Sequence, residues 1–178
     1  QPQCQLLQQN QTFHVLSKTV YSIYDTSPKT EQIVALLAQN NTPKLHLSGL
    51  VGSSISFVIR SIFKKSELPF LLILNDKEEA AYYLNDLEQM IGDQDVLFYP
   101  ASFRRPYQIE ETDNANVLLR AEVLNRINSR KKPAIIVTYP EAIFEKVVTR
   151  KELDKNTLKV AVADQISIDF INEVLFEY

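Results

Sequence analysis

Three unbroken, β-prone runs of strand length frame this chain: Phe70-Leu71-Leu72-Ile73-Leu74, Val96-Leu97-Phe98-Tyr99 and Ala134-Ile135-Ile136-Val137-Thr138. An alternating run would leave one face to water, whereas a continuous one suits a strand covered on both faces of a parallel sheet. Helical patterns lie between the runs. Lys77 to Ile91 turns Ala80, Leu84 and Leu87 to one side, with Asn75 or Asp76 to cap it and Gly92 to end it. Glu111 to Ile127 carries the apolar stripe Val117, Leu118, Ala121, Val123 and Leu124, and Pro140 is placed to open a helix over Glu141 to Val147. Strands alternating with helices predict an α/β fold: a doubly wound, mainly parallel sheet with helices on both faces.

The first strand of the chain is expected at Lys44 to Leu47 and a fifth, alternating and weaker, at Leu158 to Ala163, and Ser167 is placed to cap a last helix running to the end of the chain. Residues 1–43 read as a helical lead-in. They comprise a glutamine-rich start, a short helix within Phe13 to Tyr24, and a helix over Lys29 to Gln39 with Ser27 as cap and Pro28 at its first position. Residues 44–178 form the α/β domain. With 178 residues and 45% hydrophobic content, one well-buried core is the expectation.

A net charge of −3 does not advertise a nucleic-acid-binding surface, so any such contact requires a local patch. The lone Cys4 has no internal disulfide partner, which fits a reducing, cytoplasmic compartment. No apolar run approaches the roughly 18 residues of a membrane span, and no membrane partner is expected. The chain opens on Gln1 and is read as a piece of something larger.

Of three glycines in the whole chain, two lie in Ser48-Gly49-Leu50-Val51-Gly52-Ser53-Ser54-Ile55-Ser56, between the strand expected at 44–47 and a helical pattern from Phe57. That strand–loop–helix order suits a phosphate-binding P-loop, G-x-x-x-x-G-K-[ST]. Gly49 takes the first glycine and Ser56 the hydroxyl, but Ser54 stands at the second glycine and Ile55 at the lysine. The lysine supplies charge to the β- and γ-phosphates, so its replacement by a branched apolar side chain removes a charge-assisted contact from a site built of such contacts. Gly49, Gly52, Ser53, Ser54, Ile55 and Ser56 therefore read as a degenerate nucleotide loop, a turn with serine capping; a weak anion site at the helix N-terminus stays open.

Nothing else supplies the missing chemistry. Asp76 and Asp164 are the available carboxylates after strands, and capping or turn formation explains both. His14 and His46 stand alone, so no metal site is expected, and no catalytic constellation stands out. The segment after Tyr99 mixes Phe103, Arg104, Arg105 and Tyr107. Arginines beside aromatics anchor protein interfaces or hold phosphates and stack bases, and the bland alternative is a crossover loop with solvated arginines. These four are the interface candidates. The basic run Arg130-Lys131-Lys132 reads as a solvated turn.

Four motifs in order resemble the N-terminal region of bacterial transcription-repair coupling factors (Mfd), the part homologous to the excision-repair protein UvrB. They are Gly49 to Ser56; Leu71-Leu72-Ile73-Leu74-Asn75-Asp76; Tyr99-Pro100 followed by Arg104-Arg105-Pro106-Tyr107; and Ile135-Ile136-Val137-Thr138-Tyr139-Pro140-Glu141-Ala142-Ile143. UvrB keeps an intact P-loop where this chain has Ser54 and Ile55. The resemblance implies a helicase-like α/β architecture and a parent protein that is an ATP-driven DNA translocase, displacing stalled RNA polymerase and recruiting UvrA. It implies ATP and Mg²⁺ only in motor domains beyond Tyr178, no cofactor in these residues, and other domains of the same full-length chain as their partners. Two further readings stay open, an active UvrB-type nucleotide-binding helicase domain and a DNA-binding module working through the arginine–aromatic segment.

Overall fold

The computed structural model describes residues 20–39, 43–103, 113–129, 132–147, 149, 151, 167–170 and 172. The chain divides into two compact units, Gln1–Glu145 and Lys146–Tyr178. In the first unit a helical stretch over residues 20–25 precedes α1 (Pro28–Leu37) and α2 (Ser54–Ser66). Then follow β1 (Phe70–Ile73), α3 (Lys77–Ile91), β2 (Val96–Tyr99), α4 (Asn114–Ser129), β3 (Ile135–Thr138) and the short α5 (Pro140–Phe144).

The three strands are the three apolar runs, paired in parallel in the order β1-β3-β2. Phe70 is opposite Ile135, which is opposite Val96, and the register continues to Ile73, Thr138 and Tyr99. Right-handed crossovers then fix the layers. The step from β1 to β2 runs one way across the sheet and the step from β2 to β3 runs back, so α3 and α4 fall on opposite faces. Side chains agree. Phe70 meets Phe63 of α2 edge-on at 5.9 Å, while Tyr99, on the other face, lies under the Arg120 guanidinium of α4 at 4.2 Å. The core joins the two faces through Phe63, Leu87, Val96, Val123, Ile135 and Val137.

Local chemistry sets the element ends. Asp76 is the cap of α3, accepting from the Glu79 N–H at 2.7 Å, and Glu79 reaches back to accept from the Asn75 N–H at 2.9 Å. This reciprocal box satisfies two donors that the helix leaves open. Asp76→Ala is expected to lower stability by about 1 kcal/mol, read as a reduced urea midpoint; no change would mean Glu79 suffices. Pro140 opens α5 as expected, though the helix ends at Phe144. In the second unit Ser167 accepts from the Phe170 N–H at 3.1 Å, the bond of an N-cap; the remainder of that expected helix and the strand expected at 158–163 fall largely outside the described residues.

Three expectations need correction. Residues 44–47 form no strand: Lys44-Leu45-His46-Leu47 is exposed and pairs with no strand among the described residues. Ser27 makes no side-chain cap, and its carbonyl accepts from Glu31 instead. On α4 only part of the expected stripe faces inward: Val123 is in the core and Leu124 packs against it, but Val117 and Leu118 are exposed, Leu118 at 72%, and Asn116 and Arg120 share the inward side. Arg120 takes the inward position because its hydrogen bonds cross to β2 and α5.

The helical stretch over residues 20–25 is tied to α2. Buried Arg60 donates to both oxygens of Asp25 at 2.9 and 3.1 Å, Ser61 donates to the same carboxylate at 2.6 Å, and Tyr24 stacks on Phe57 at 5.2 Å. Burial raises the Asp25 pKa, but the Ser61 and Arg60 hydrogen bonds and the charges of Arg60 and Lys64 outweigh it, holding the carboxyl below the ordinary 3.8.

Candidate functional site

The loop between residue 48 and α2 holds two glycines at positive φ and commits its serine hydroxyls to partners within the protein. Gly49 and Gly52 adopt φ of +79° and +56°, a left-handed region that strains any side chain, although a Cβ at either position meets open space. Ser54 Oγ accepts from the Val51 N–H at 2.7 Å. Ser53 Oγ is hydrogen-bonded to Tyr82 Oη at 2.7 Å. Ser56, fully buried, donates to Asp86 Oδ2 of α3 at 3.2 Å.

Two of the first helical amides are engaged as well, Ser54 N–H with the Val51 carbonyl and Ile55 N–H with that of Gly52. A phosphate here would compete with these bonds and would face the Asp86 carboxylate behind Ser56. Ile55, at the position of a P-loop lysine, lines a cleft with Ile59, Leu71 to Leu74, Asn75, Glu79 and Tyr83. Its side chain serves packing along β1.

The second candidate, the segment after β2, is held at its base by a buried polar cluster. Arg120 Nη1 donates to the Pro100 carbonyl at 2.8 Å and to the Ala142 carbonyl at 3.0 Å, and lies 3.6 Å from Glu145 Oε2. Glu145 accepts from the Ser102 N–H at 2.8 Å and from its hydroxyl. Asn116 donates to the Ala101 carbonyl at 2.9 Å, and the Ala101 N–H donates to Tyr139 Oη at 3.0 Å. Burial raises the pKa of both Tyr99 and Tyr139; for Tyr99, Arg120 opposes the rise, and for Tyr139 the chief opposing contribution is the Ala101 hydrogen bond. Every main-chain donor and acceptor of Pro100 to Ser102 thus meets a side chain or the Asp113 N–H.

Phe103 is half-buried at the end of this anchored stretch; Arg104, Arg105 and Tyr107 lie outside the described residues. The loop and the segment belong to different parts of the unit, one before α2 and one after β2, and no described contact joins them. Sequence reasoning missed Arg120, Glu145 and Asp86. For Arg120 one signal was available: a charged residue three before Val123 and four after Asn116 shares their helix face. Of the two carboxylates considered after strands, Asp76 is a cap and Asp164 lies outside the described residues; His46 is exposed. Among the described residues no group of three or more His, Cys, Asp or Glu side chains is arranged to hold a metal ion, and no helix is long and apolar enough to cross a membrane.

Two curated proteins are similar to this chain. The transcription-repair-coupling factor of Rickettsia bellii is 24% identical over 122 residues, 68% of the chain. That of Bacillus subtilis is 26% identical over 132 residues, 74% of the chain. The matched stretch spans 11% of the length of each. No family model matches, and no solved structure matches significantly. These similarities support the coupling-factor family.

Proposed function

We propose that this chain is a non-catalytic α/β domain of a transcription-repair coupling factor, from the N-terminal region homologous to UvrB, and that it serves as a scaffold on which other domains of the same chain dock. The similarity to two coupling factors over 68% and 74% of the chain carries this reading. In it, the whole protein is an ATP-dependent DNA translocase that displaces stalled RNA polymerase and recruits UvrA, and ATP and Mg²⁺ act in its motor domains. The loop supports the non-catalytic part. Ser56 is held by Asp86, Ser54 by the Val51 amide, and Ile55 lines the cleft along β1. Phe103, Arg104, Arg105 and Tyr107 are the docking candidates; Phe103 directly follows the stretch held by the Arg120 cluster.

Titration of ATP·Mg²⁺, followed by NMR at the Gly49 and Gly52 amides, is expected to leave both signals in place through about millimolar nucleotide, because charge-assisted phosphate contacts are missing. A saturable shift at micromolar concentration would make this an active nucleotide-binding domain instead. Following the loop's own amides separates its behaviour from binding elsewhere in a longer protein.

A further inference from the structure

Residues 20–37 rest on α2 without entering the core. Among the described residues, the core and the apolar side chains packed against it all come from residue 59 onward. Of residues 20–37 only Thr30 is buried. The described residues of 38–53, which tie them to α2, belong to no helix or strand, and none is buried. What fastens residues 20–25 is a set of contacts on one side of α2.

Phe57, Arg60, Ser61 and Lys64 stand at i, i+3, i+4 and i+7, so this side of α2 presents a ring, a buried cation, a hydroxyl and a second cation. Residues 20–25 answer each of them. Tyr24 stacks on Phe57, and Tyr21 tilts against the same ring at 5.7 Å. Tyr21 also lies over the Arg60 guanidinium at 4.1 Å. Asp25 accepts from Arg60 and Ser61, and the Lys64 charge acts on the same carboxylate. The match leaves capacity unused. Both Asp25 oxygens accept from one nitrogen, Nη1, and the buried Nε of Arg60 has no partner, although a guanidinium can present two N–H groups to a carboxylate in parallel.

We propose that this side of α2 is a recognition site for a helical protein segment carrying two aromatic residues three apart followed at once by a carboxylate, and that residues 20–25 are its internal occupant. A partner with that signature binds by displacing them. The internal occupant supplies the template, since Tyr21, Tyr24 and Asp25 lie at i, i+3 and i+4 on one helix face. Anchors at that spacing are how a short helix is read by a protein surface. Each anchor has its counterpart: stacking on Phe57, a ring against the Arg60 cation, and a carboxylate for the buried charge. Leaving Arg60 buried and unpaired is unfavourable, so release of the internal helix and entry of the partner form one exchange. Displacement opens no hydrophobic core, because residues 20–37 contribute none. The inference goes beyond the proposed function and does not depend on the coupling-factor family.

The probe is a fluorescein-labelled peptide copying residues 20–37, titrated into the full 178-residue chain. With Asp25→Ala in the chain the internal helix is loosened, and the peptide is expected to bind saturably and to raise the variant's melting temperature toward that of the wild type. The wild-type chain, whose own helix competes at an effective concentration of about millimolar, is expected to bind at least about tenfold more weakly. A peptide carrying Asp25→Asn is expected to lose about tenfold or more in affinity, the worth of a hydrogen bond to a charged group. No saturable binding to the variant, equal binding to variant and wild type, or indifference to the peptide's carboxylate overturns the proposal. So does self-association of the wild-type chain with rising concentration that Asp25→Asn abolishes, which assigns the site to a second copy. Asp25→Asn in the chain keeps the side chain's shape and replaces Asp25→Ala where circular dichroism shows the latter unfolded. Where both unfold, the wild type is titrated to about millimolar peptide and displacement is read by NMR as loss of the Tyr24–Phe57 ring contact within the chain; persistence of that contact overturns the proposal.

Discussion

Arg120→Ala is expected to lower stability by about 3–5 kcal/mol, the cost of breaking a buried, hydrogen-bonded ion pair by deleting one partner. Arg120 is 6% exposed, and its guanidinium satisfies the carbonyls of Pro100 and Ala142 while resting on the Tyr99 ring. Removing it leaves two carbonyls without their donor and the Glu145 carboxylate, 15% exposed, without its nearest cation. Both effects fall on the stretch that leads into Arg104, Arg105 and Tyr107. Urea unfolding followed by circular dichroism gives the loss. A change below about 1 kcal/mol would mean that water replaces the guanidinium and that the cluster does not organise the segment. Arg120→Lys is expected to lose less, since it keeps the charge but not the planar fork that spans two carbonyls.

Asp25→Ala is expected to lower stability by about 2–3 kcal/mol, less than a fully buried pair because the Asp25 side chain is 35% exposed while that of Arg60 is 7% exposed. It strips Arg60 and Ser61 of a shared acceptor and loosens residues 20–25 from α2. The pH dependence follows from the lowered Asp25 pKa. Stability from the ionised carboxylate is fully present above the unfolded-state value near 3.8 and is lost as pH falls through the lower folded value. The wild-type protein should therefore lose stability on acidification below that value, and Asp25→Ala should show a shallower loss over the same range. Parallel acid profiles for the two proteins would remove Asp25 as the titrating group.

The secondary structure that was readable came from patterns that are local in physical origin. Unbroken apolar runs became β1, β2 and β3; β2 and β3 are covered on both faces as such runs suit, whereas β1 leaves Leu71 and Ile73 exposed. The helix over Lys77 to Ile91 was found at its observed bounds, since the capping box and Gly92 mark its ends within a few residues of chain. The loop was readable in one respect: two of three glycines in a short stretch do occupy positive φ. Where reading failed, the deciding partner was distant. On α4 the expected stripe kept Val123 and Leu124 but lost Val117 and Leu118 to the surface, while Arg120, whose acceptors lie 20 and 22 residues away, turned inward. The strand expected at 44–47 does not form, because strand formation requires a neighbour and not only alternation.

Residue identity alone determined that the loop lacks the lysine and second glycine of a phosphate site, since Ile55 and Ser54 cannot supply charge or a bare Cα in any fold. Only the tertiary structure decided what the loop does with its remaining groups. Ser56 is turned to Asp86, 30 residues on, and Ile55 joins the cleft along β1. A side chain's chemistry is fixed by its atoms, but its partners are set by which surfaces the chain brings together, and here those are the faces of α2, α3 and the open edge of the sheet.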